Sequence, residues 1–342
     1  MIVYDHWHIE PTSVCVLKCP RCTRNEVPET LLNKSLDLEF FQNQIGEDIV
    51  KQIRKITFCG NDGDPIYCPE LAEIVQWIKT CNPKLTINLI TNGSYRKTDW
   101  WTRLAQAMNE HDEITWSLDG WDQHSNEQYR IESDWDSIIS GIETFCTYNT
   151  KTYKIWASIG FAFNENHFDK HLDLANNYNF DLYQLTKSTK FGTKYPDIYG
   201  ADDPLEPTNA DLIPDGYRYQ RRYQNLTKRD RPSDTLAELF KERALQLKEQ
   251  GMYSALCMVG NKGVFLNSQG EFYPCCWVAT RYEHNREWNA RASSQFNLHN
   301  RKFKEIINDS YWNTDFLKFD NMECYTKCVP EKLIDVKHIT EW

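Results

Sequence analysis

The chain has 342 residues, a formal net charge of -10 at pH 7 and a sequence pI near 5.5. An acidic chain repels a phosphate backbone, which argues against nucleic acid as a partner. No apolar run approaches the roughly 18 residues of a membrane span, and the first residues lack the pattern of a signal peptide. We therefore predict a cytoplasmic protein that binds neither nucleic acid nor a membrane.

Short β-branched apolar runs alternate with longer amphipathic stretches over the first half of the chain. The predicted strands are residues 7–12, 55–59, 85–91, 113–118, 153–163 and 180–186. The predicted helices between them are residues 36–53, 69–80, 98–109, 134–148 and 167–178. Strand–helix alternation calls for a parallel sheet with helices outside it, and six strands are too few for the usual eight-stranded barrel. We predict an α/β fold, a partial (β/α)6 barrel, over residues 1–190.

The rest of the chain divides into two parts of different composition. Residues 191–250 are polar and interrupted by prolines, which predicts a linker followed by a bridging helix at 235–249. Residues 251–342 contain five cysteines and a hairpin-like run at 263–273. This composition predicts a small C-terminal cysteine-rich α+β domain.

Twelve cysteines in a reducing compartment are better candidates for metal or redox chemistry than for disulfides. Cys15, Cys19 and Cys22 lie just after the first predicted strand. Three thiolates can hold a four-iron cluster and keep one iron open for a substrate. Structural zinc would need a fourth ligand nearby, yet the next cysteine is Cys59 and no histidine lies between. The spacing therefore favours an iron–sulfur cluster.

This Cys-x3-Cys-x2-Cys arrangement after an opening strand resembles the signature of the radical SAM superfamily, although Arg21 stands where the family usually has an aromatic residue. The resemblance covers about residues 7–190. It implies a 4Fe–4S cluster on the three cysteines that binds S-adenosyl-L-methionine (SAM). It also implies an oxidoreductase that cleaves SAM reductively to a 5′-deoxyadenosyl radical, with electrons from a donor such as a flavodoxin or ferredoxin.

The later predicted strands end in short motifs that resemble further elements of the same superfamily. They are similar to its Gly-Gly-Glu-Pro turn, its Thr-Asn-Gly element near the ribose and its Ser-Ile-Asp-Gly element, followed by an arginine for the methionyl carboxylate. Each motif alone is more often an ordinary turn, but their order along successive strands predicts a SAM site. The residues so assigned are Gly60, Asn61, Gly63, Asp64, Thr91, Asn92, Ser117, Asp119 and Arg130.

A second cysteine set, Cys257, Cys275, Cys324 and Cys328, resembles the Twitch extension, a shortened relative of the SPASM domain. That resemblance implies an auxiliary 4Fe–4S cluster. Cys276 is the alternative to Cys275, although the Gly-x4-Cys spacing favours Cys275. Structural zinc stays open as the alternative metal, since four thiolates suit it equally well.

Three functions are compatible with these motifs. Relatives with such extensions suggest hydrogen abstraction from a peptide or protein, leading to its oxidative modification. The second function is dehydrogenation or rearrangement of a small molecule such as a sugar, aminocyclitol or nucleotide. The third, a non-catalytic zinc-stabilised binding protein, leaves the ordered SAM motifs unexplained. The sequence identifies no catalytic acid, base or relay residue, and the cysteines at 59, 68, 81 and 146 are interpreted as small hydrophobic residues.

Overall fold

The computed structural model describes residues 4–26, 31–191, 203–214, 220–249 and 263–313, and the chain forms two compact units. Among the described residues, the first unit contains 4–14, 31–89, 231–249 and 263–313. The second unit contains 15–26, 90–191, 203–214 and 220–230. No helix in the described ranges combines the length and the apolar composition needed to cross a bilayer.

The strands and helices alternate as the sequence predicts. The strands are β1 (His6–Ile9), β2 (Lys55–Phe58), β3 (Thr86–Thr91), β4 (Glu113–Ser117), β5 (Tyr153–Ile159), β6 (Leu182–Lys187), β7 (Gln220–Asn225), β8 (Val264–Leu266) and β9 (Phe272–Tyr273). The helices are α1 (Thr23–Glu26), α2 (Leu38–Phe40), α3 (Glu47–Val50), α4 (Leu71–Cys81), α5 (Thr98–Ala107), α6 (Gln123–Glu127), α7 (Trp135–Tyr148), α8 (Phe168–Asn177), α9 (Asp234–Glu249), α10 (Arg286–Gln295) and α11 (Phe303–Ile307).

Parallel pairing dominates in each unit. In the first unit, β8, β1, β2 and β3 pair in parallel, and β9 adds to β8 in the antiparallel sense. In the second unit, β4, β5 and β6 are parallel, and β7 pairs with β6 antiparallel. Because the carboxyl ends of parallel strands share one edge, the loops after β1 and β2 meet, as do those after β4 and β5.

The prediction of an α/β fold with a parallel sheet is confirmed, whereas the partial barrel and the separate C-terminal domain stay predictions. The helix predicted over residues 235–249 is present as α9. The predicted hairpin is present as β8 and β9, and β8 pairs with β1. Strand β7 lies within the stretch for which the sequence predicts a linker.

One predicted helix, residues 36–53, is broken in the structure. Helix α2 continues into a π-helical turn, Phe41–Ile45, and α3 begins only after Gly46. Gly46 adopts a φ of 80°, in the left-handed region that glycine tolerates and that ends a helix. The prediction of one continuous helix here was therefore wrong.

The cores of both units are rich in aromatic side chains. In the second unit, Trp101 stacks on Trp116 with 5.8 Å between ring centroids. Gly141 in α7 allows this packing, because a Cβ there would lie 2.4 Å from Trp101 Nε1. The tryptophan pair Trp100 and Trp101 is thus core, as aromatic residues at helical spacing usually are.

Candidate active site

The first three cysteines lie on the loop that opens the second unit. Cys19 is buried in an apolar cluster, and Cys15 and Cys22 pack against that cluster. The loop turns because Cys22 N donates to the Cys19 carbonyl at 3.1 Å, and the Asn25 side chain donates to the same oxygen at 2.8 Å. The structure thus brings the three predicted ligands into one apolar neighbourhood.

The donor set of this loop suits an iron–sulfur cluster. Its cysteines carry reduced thiols, and Leu17, Tyr129 and Phe161 form the apolar wall beside them. Within the described ranges, no three Cys, His, Asp or Glu side chains are grouped so that they could hold a metal ion. In a four-iron cluster each thiolate binds a different iron, so its ligands are not grouped around a single metal ion. The three thiols of the loop therefore match the donor set of such a cluster.

Arg130 faces the cysteine loop. Burial raises the pKa of the Cys19 thiol to about 11, although the positive charge of Arg130 and a hydrogen bond from its side chain lower that pKa. Burial also raises the pKa of Cys22. Both side chains are therefore neutral thiols near pH 7, and a metal that binds them must displace their protons.

The motif after β4 starts with Ser117, the last residue of that strand, and leads to the fully buried Asp119. One Asp119 carboxylate oxygen accepts from Ile159 N and the other from Arg130 Nε, both at 2.7 Å. Burial by itself lowers the pKa of Arg130, but the charge of Asp119 opposes this and the net pKa is raised. Since Nε is one of five N–H donors of the guanidinium, the pair with Asp119 orients Arg130 and keeps donors for a second acceptor.

The motif after β3 contacts the first cysteine. Asn92 Nδ2 lies 3.8 Å from Cys15 Sγ, and Asn92 Oδ1 accepts from Ser94 N at 2.9 Å. Thr91 Oγ1 accepts from Gly93 N at 3.0 Å, and Gly93 has a φ of 78°. The tight turn thus presents the Asn92 amide to the cysteine loop.

The turn after β2, residues 60–64, belongs to the first unit. A Cβ at Gly63 would lie 1.9 Å from the Thr12 carbonyl oxygen, so this position has no room for a side chain. A Cβ at Gly60 would lie 2.4 Å from Glu10 Oε1. The glycines of this motif therefore allow the turn to pack directly against the residues that follow β1.

Asp64 ends this turn and is fixed at two points. Its backbone N–H donates to the Val14 carbonyl at 3.0 Å, and Oδ1 accepts from Ile66 N at 3.2 Å. The second bond caps the short 3-10 helix Pro65–Tyr67. The backbone bond and the cap together fix the position of Asp64 at the end of the turn.

Sequence reasoning missed three residues that hold the 60–64 turn. Glu10 is buried, and its Oε1 accepts from Asp62 N at 2.6 Å and from Gly63 N at 3.1 Å. Arg281 forms an ion pair with Asp62 at 2.8 Å. The sequence offers one signal for Glu10, which is the single acidic residue within the predicted first strand, residues 7–12.

Glu10 makes stability depend on pH. Burial, and secondly the charge of Asp62, raises the pKa of Glu10 from 4.5 to about 8. The folded state then holds a proton that the unfolded state has released, so stability falls as the pH rises from 4.5 to about 8 and levels off above. Glu10→Gln keeps an acceptor oxygen but cannot ionise. One pKa unit corresponds to about 1.4 kcal/mol. At a pH above about 8 we therefore expect the free energy of unfolding of Glu10→Gln to exceed that of the wild type by a few kcal/mol.

Urea unfolding at pH 5 and pH 9 measures this difference. The matched control is Glu287→Gln, because the Glu287 side chain is 88% exposed and its charge has little effect on folding. A stability difference between Glu10→Gln and the wild type that does not change with pH would contradict the prediction.

Of the second cysteine set, Cys275 and its alternative Cys276 are described, whereas Cys257, Cys324 and Cys328 lie outside the described residues. Cys275 and Cys276 follow β9 and pack against the apolar cluster of Phe265 and Tyr273. Asn61 Nδ2 donates to the Cys276 carbonyl at 3.1 Å. The choice between the two cysteines as a ligand stays open.

Arg21 lies between the last two cysteines of the loop and is itself buried. It forms an ion pair with Asp203, whose side chain is fully buried. Asp203 Oδ1 also accepts from Leu205 N at 3.0 Å, and Lys190 Nζ donates to the Arg21 carbonyl at 3.1 Å. A buried ion pair thus holds position 21, where the resemblance stated above leads to the expectation of an aromatic residue.

The predicted cofactor residues divide between the two units. Gly60, Asn61, Gly63 and Asp64 lie in the first unit, and Thr91, Asn92, Ser117, Asp119 and Arg130 lie in the second with the cysteine loop. Within the second unit, Asn92 contacts Cys15 and Arg130 contacts Cys19.

Residues 9–175 match the family model of the Radical SAM superfamily. This match covers just under half of the chain, and it makes these residues similar to a radical SAM domain. Two solved structures of SuiB from Streptococcus suis are similar to the chain, each at 12% identity. The structure bound to the precursor peptide SuiA has a TM-score of 0.54, with 95% of this chain and 69% of SuiB covered. The structure bound to S-adenosylmethionine has a TM-score of 0.55, with 94% and 68% covered.

The likeness to SuiB establishes a shared fold. No curated protein sequence matches the chain. The match to the Radical SAM superfamily includes the cysteine loop, whose three cysteines share one apolar neighbourhood.

Proposed function

We propose that this protein is a radical SAM oxidoreductase that cleaves SAM reductively and removes a hydrogen atom from its substrate. The observation that carries the proposal is the cysteine loop of the radical SAM domain. Its three cysteines share one apolar neighbourhood, and the side chains of Asn92 and Arg130 lie against Cys15 and Cys19. A structural zinc site would need a fourth ligand nearby, and the chain has neither a cysteine nor a histidine between Cys22 and Cys59.

Cys15, Cys19 and Cys22 would hold the cluster, which would supply the electron for reductive cleavage of SAM. Each remaining task falls to the chain's own residues. Arg130, which Asp119 orients, binds the methionyl carboxylate, because a guanidinium matches a carboxylate in geometry and charge. The resemblance of the 60–64 turn to the Gly-Gly-Glu-Pro element assigns to Asp64 the hydrogen bonds from the methionyl ammonium. The apolar wall beside the thiols excludes water from the reactive carbon.

The proposed substrate is a peptide or protein, which undergoes oxidative modification. Support comes from SuiB, which has the same fold and whose structure contains a precursor peptide. An electron donor such as a flavodoxin or ferredoxin would supply the reducing electron.

An auxiliary 4Fe–4S cluster on Cys257, Cys275, Cys324 and Cys328 completes the proposal. With four cysteine ligands it would accept the electron that remains on the substrate radical. Two four-iron clusters correspond to about eight irons per chain, and a single cluster to about four.

Anaerobic reconstitution followed by metal analysis and a SAM cleavage assay tests this function. The expected result is about eight irons per chain, with methionine and 5′-deoxyadenosine formed under reducing conditions. Zinc with negligible iron, and no 5′-deoxyadenosine, would reject the proposal in favour of a zinc-stabilised protein.

Deuterium transfer identifies the substrate class. The reconstituted enzyme is incubated with deuterated cell extract that has been separated into a peptide fraction and a small-molecule fraction. We expect deuterium in 5′-deoxyadenosine only with the peptide fraction. Deuterium transfer from the small-molecule fraction alone would show that the substrate is not a peptide.

A further inference from the structure

The 60–64 turn of the first unit is held by a segment far along the chain. Arg281 Nη2 lies 2.8 Å from Asp62 Oδ1, and these side chains are only 14% and 17% exposed. Asn61 Nδ2 donates to the Cys276 carbonyl at 3.1 Å. Two adjacent residues of the turn are therefore tied to one short stretch, residues 276–281, that begins at the second cysteine pair.

The 276–281 segment is rigid enough to position the turn. Thr280 Oγ1 donates to the Trp277 carbonyl at 3.0 Å. Asn285, which is fully buried, donates to the same carbonyl at 3.1 Å and to Thr280 Oγ1 at 2.6 Å. Val278 and Ala279 are buried in the apolar cluster behind it. Side-chain bonds and packing thus fix both anchor points, the Cys276 carbonyl and the Arg281 side chain.

We propose that the 276–281 segment is a positioning element for SAM, which acts through Asp62–Arg281 and Asn61–Cys276 on the 60–64 turn. The proposal rests on the proposed function, in which this turn binds the methionyl group. Glu10, which follows β1, binds the backbone of the turn, and the 276–281 segment binds the side chains of Asn61 and Asp62. The backbone beside the second cysteine pair therefore controls SAM affinity, in addition to any role of these cysteines as ligands.

The test measures the SAM dissociation constant of anaerobically reconstituted protein by equilibrium dialysis, together with iron content and thermal unfolding. Arg281→Met removes the ion pair, and we expect SAM to bind about tenfold more weakly. Arg281→Lys keeps the charge and should recover part of the affinity. The double variant Arg281→Met with Asp62→Asn should lose less SAM affinity than the sum of the losses in the two single variants, because both substitutions remove the same contact.

The steady-state kinetics of SAM cleavage distinguish positioning from a general loss of stability. Arg281→Met should raise the KM for SAM and keep kcat, since the thiols of the cysteine loop are unchanged. Arg301→Met is the matched control, because Arg301 pairs with Asp309 in the same unit at 2.9 Å with 31% and 26% exposure. It should lose stability to a similar degree with unchanged SAM affinity.

Each outcome separates this inference from the function on which it rests. A wild-type protein that binds iron but no SAM would reject the proposed function. A wild type that binds SAM, with Arg281→Met of equal affinity, would reject the positioning role alone. Equal loss of affinity in Arg281→Met and Arg301→Met would reject it as well, because the effect would then be one of stability.

Discussion

Cys19→Ala is expected to abolish SAM cleavage. Cys19 is the buried member of the three, it receives the hydrogen bond of Arg130, and its carbonyl shapes the loop. A three-thiolate cluster has no spare protein ligand, so the loss of one thiol releases the iron. We expect the reconstituted variant to contain about four fewer irons per chain than the wild type. The 5′-deoxyadenosine yield should fall to that of cluster-free wild type.

Cys81→Ala is the matched control for this experiment. Cys81 is a partly exposed thiol at the end of α4, in the first unit, and the proposed chemistry does not use it. Its iron content and SAM cleavage should equal those of the wild type. Full iron content and cleavage in Cys19→Ala would contradict the assignment of the cysteine loop, provided that both apo-variants unfold near the wild-type temperature.

The pattern of local residues predicts most of the elements in this chain. Helix α7 illustrates why, since Asp134 caps it by accepting from Ser137 N at 3.1 Å and its apolar residues recur at helical spacing. Strand β5 ends at Ile159, earlier than predicted, because the Asn164 side chain donates to the Ile159 carbonyl at 2.9 Å and closes a turn. Such side-chain capping leaves little trace in hydrophobic periodicity.

Strand β7 shows where local pattern fails. Its residues are polar and mostly exposed, so the sequence carries no alternation of apolar and polar positions. The strand forms through backbone pairing with β6, from Lys187 opposite Gln220 to Leu182 opposite Asn225. That pairing depends on a partner strand and not on the residues of β7 themselves.

The candidate site also has a part that the sequence predicts and a part that it does not. The cysteine spacing and the strand-end motifs are local, and the sequence predicts them without knowledge of the fold. The partners that orient them are distant, since 219 positions separate Asp62 from Arg281 and 182 separate Arg21 from Asp203. A single sequence does not predict such pairs, because nothing in it distinguishes an arginine that is buried against a distant carboxylate from one that is exposed to solvent.

The buried pair Arg21–Asp203 is expected to contribute strongly to stability. The two side chains are 3% and 0% exposed, so removal of one charge leaves the other buried and unpaired. We expect Asp203→Ala to lower the free energy of unfolding by about 3–5 kcal/mol. Because Arg21 lies between Cys19 and Cys22, the variant should also bind less iron on reconstitution. Urea unfolding and iron analysis measure the two effects.

Lys18→Met is the matched control on the same loop. Lys18 pairs with Glu132, but their side chains are 66% and 46% exposed, so its loss should cost less than about 1 kcal/mol. A double variant, Arg21→Met with Asp203→Leu, leaves no unpaired charge and should be more stable than Asp203→Ala. If Asp203→Ala and Lys18→Met unfold at the same urea concentration, the buried pair does not anchor the cysteine loop. A large loss in Asp203→Ala that the double variant reverses would instead identify the unpaired Arg21 charge as its cause.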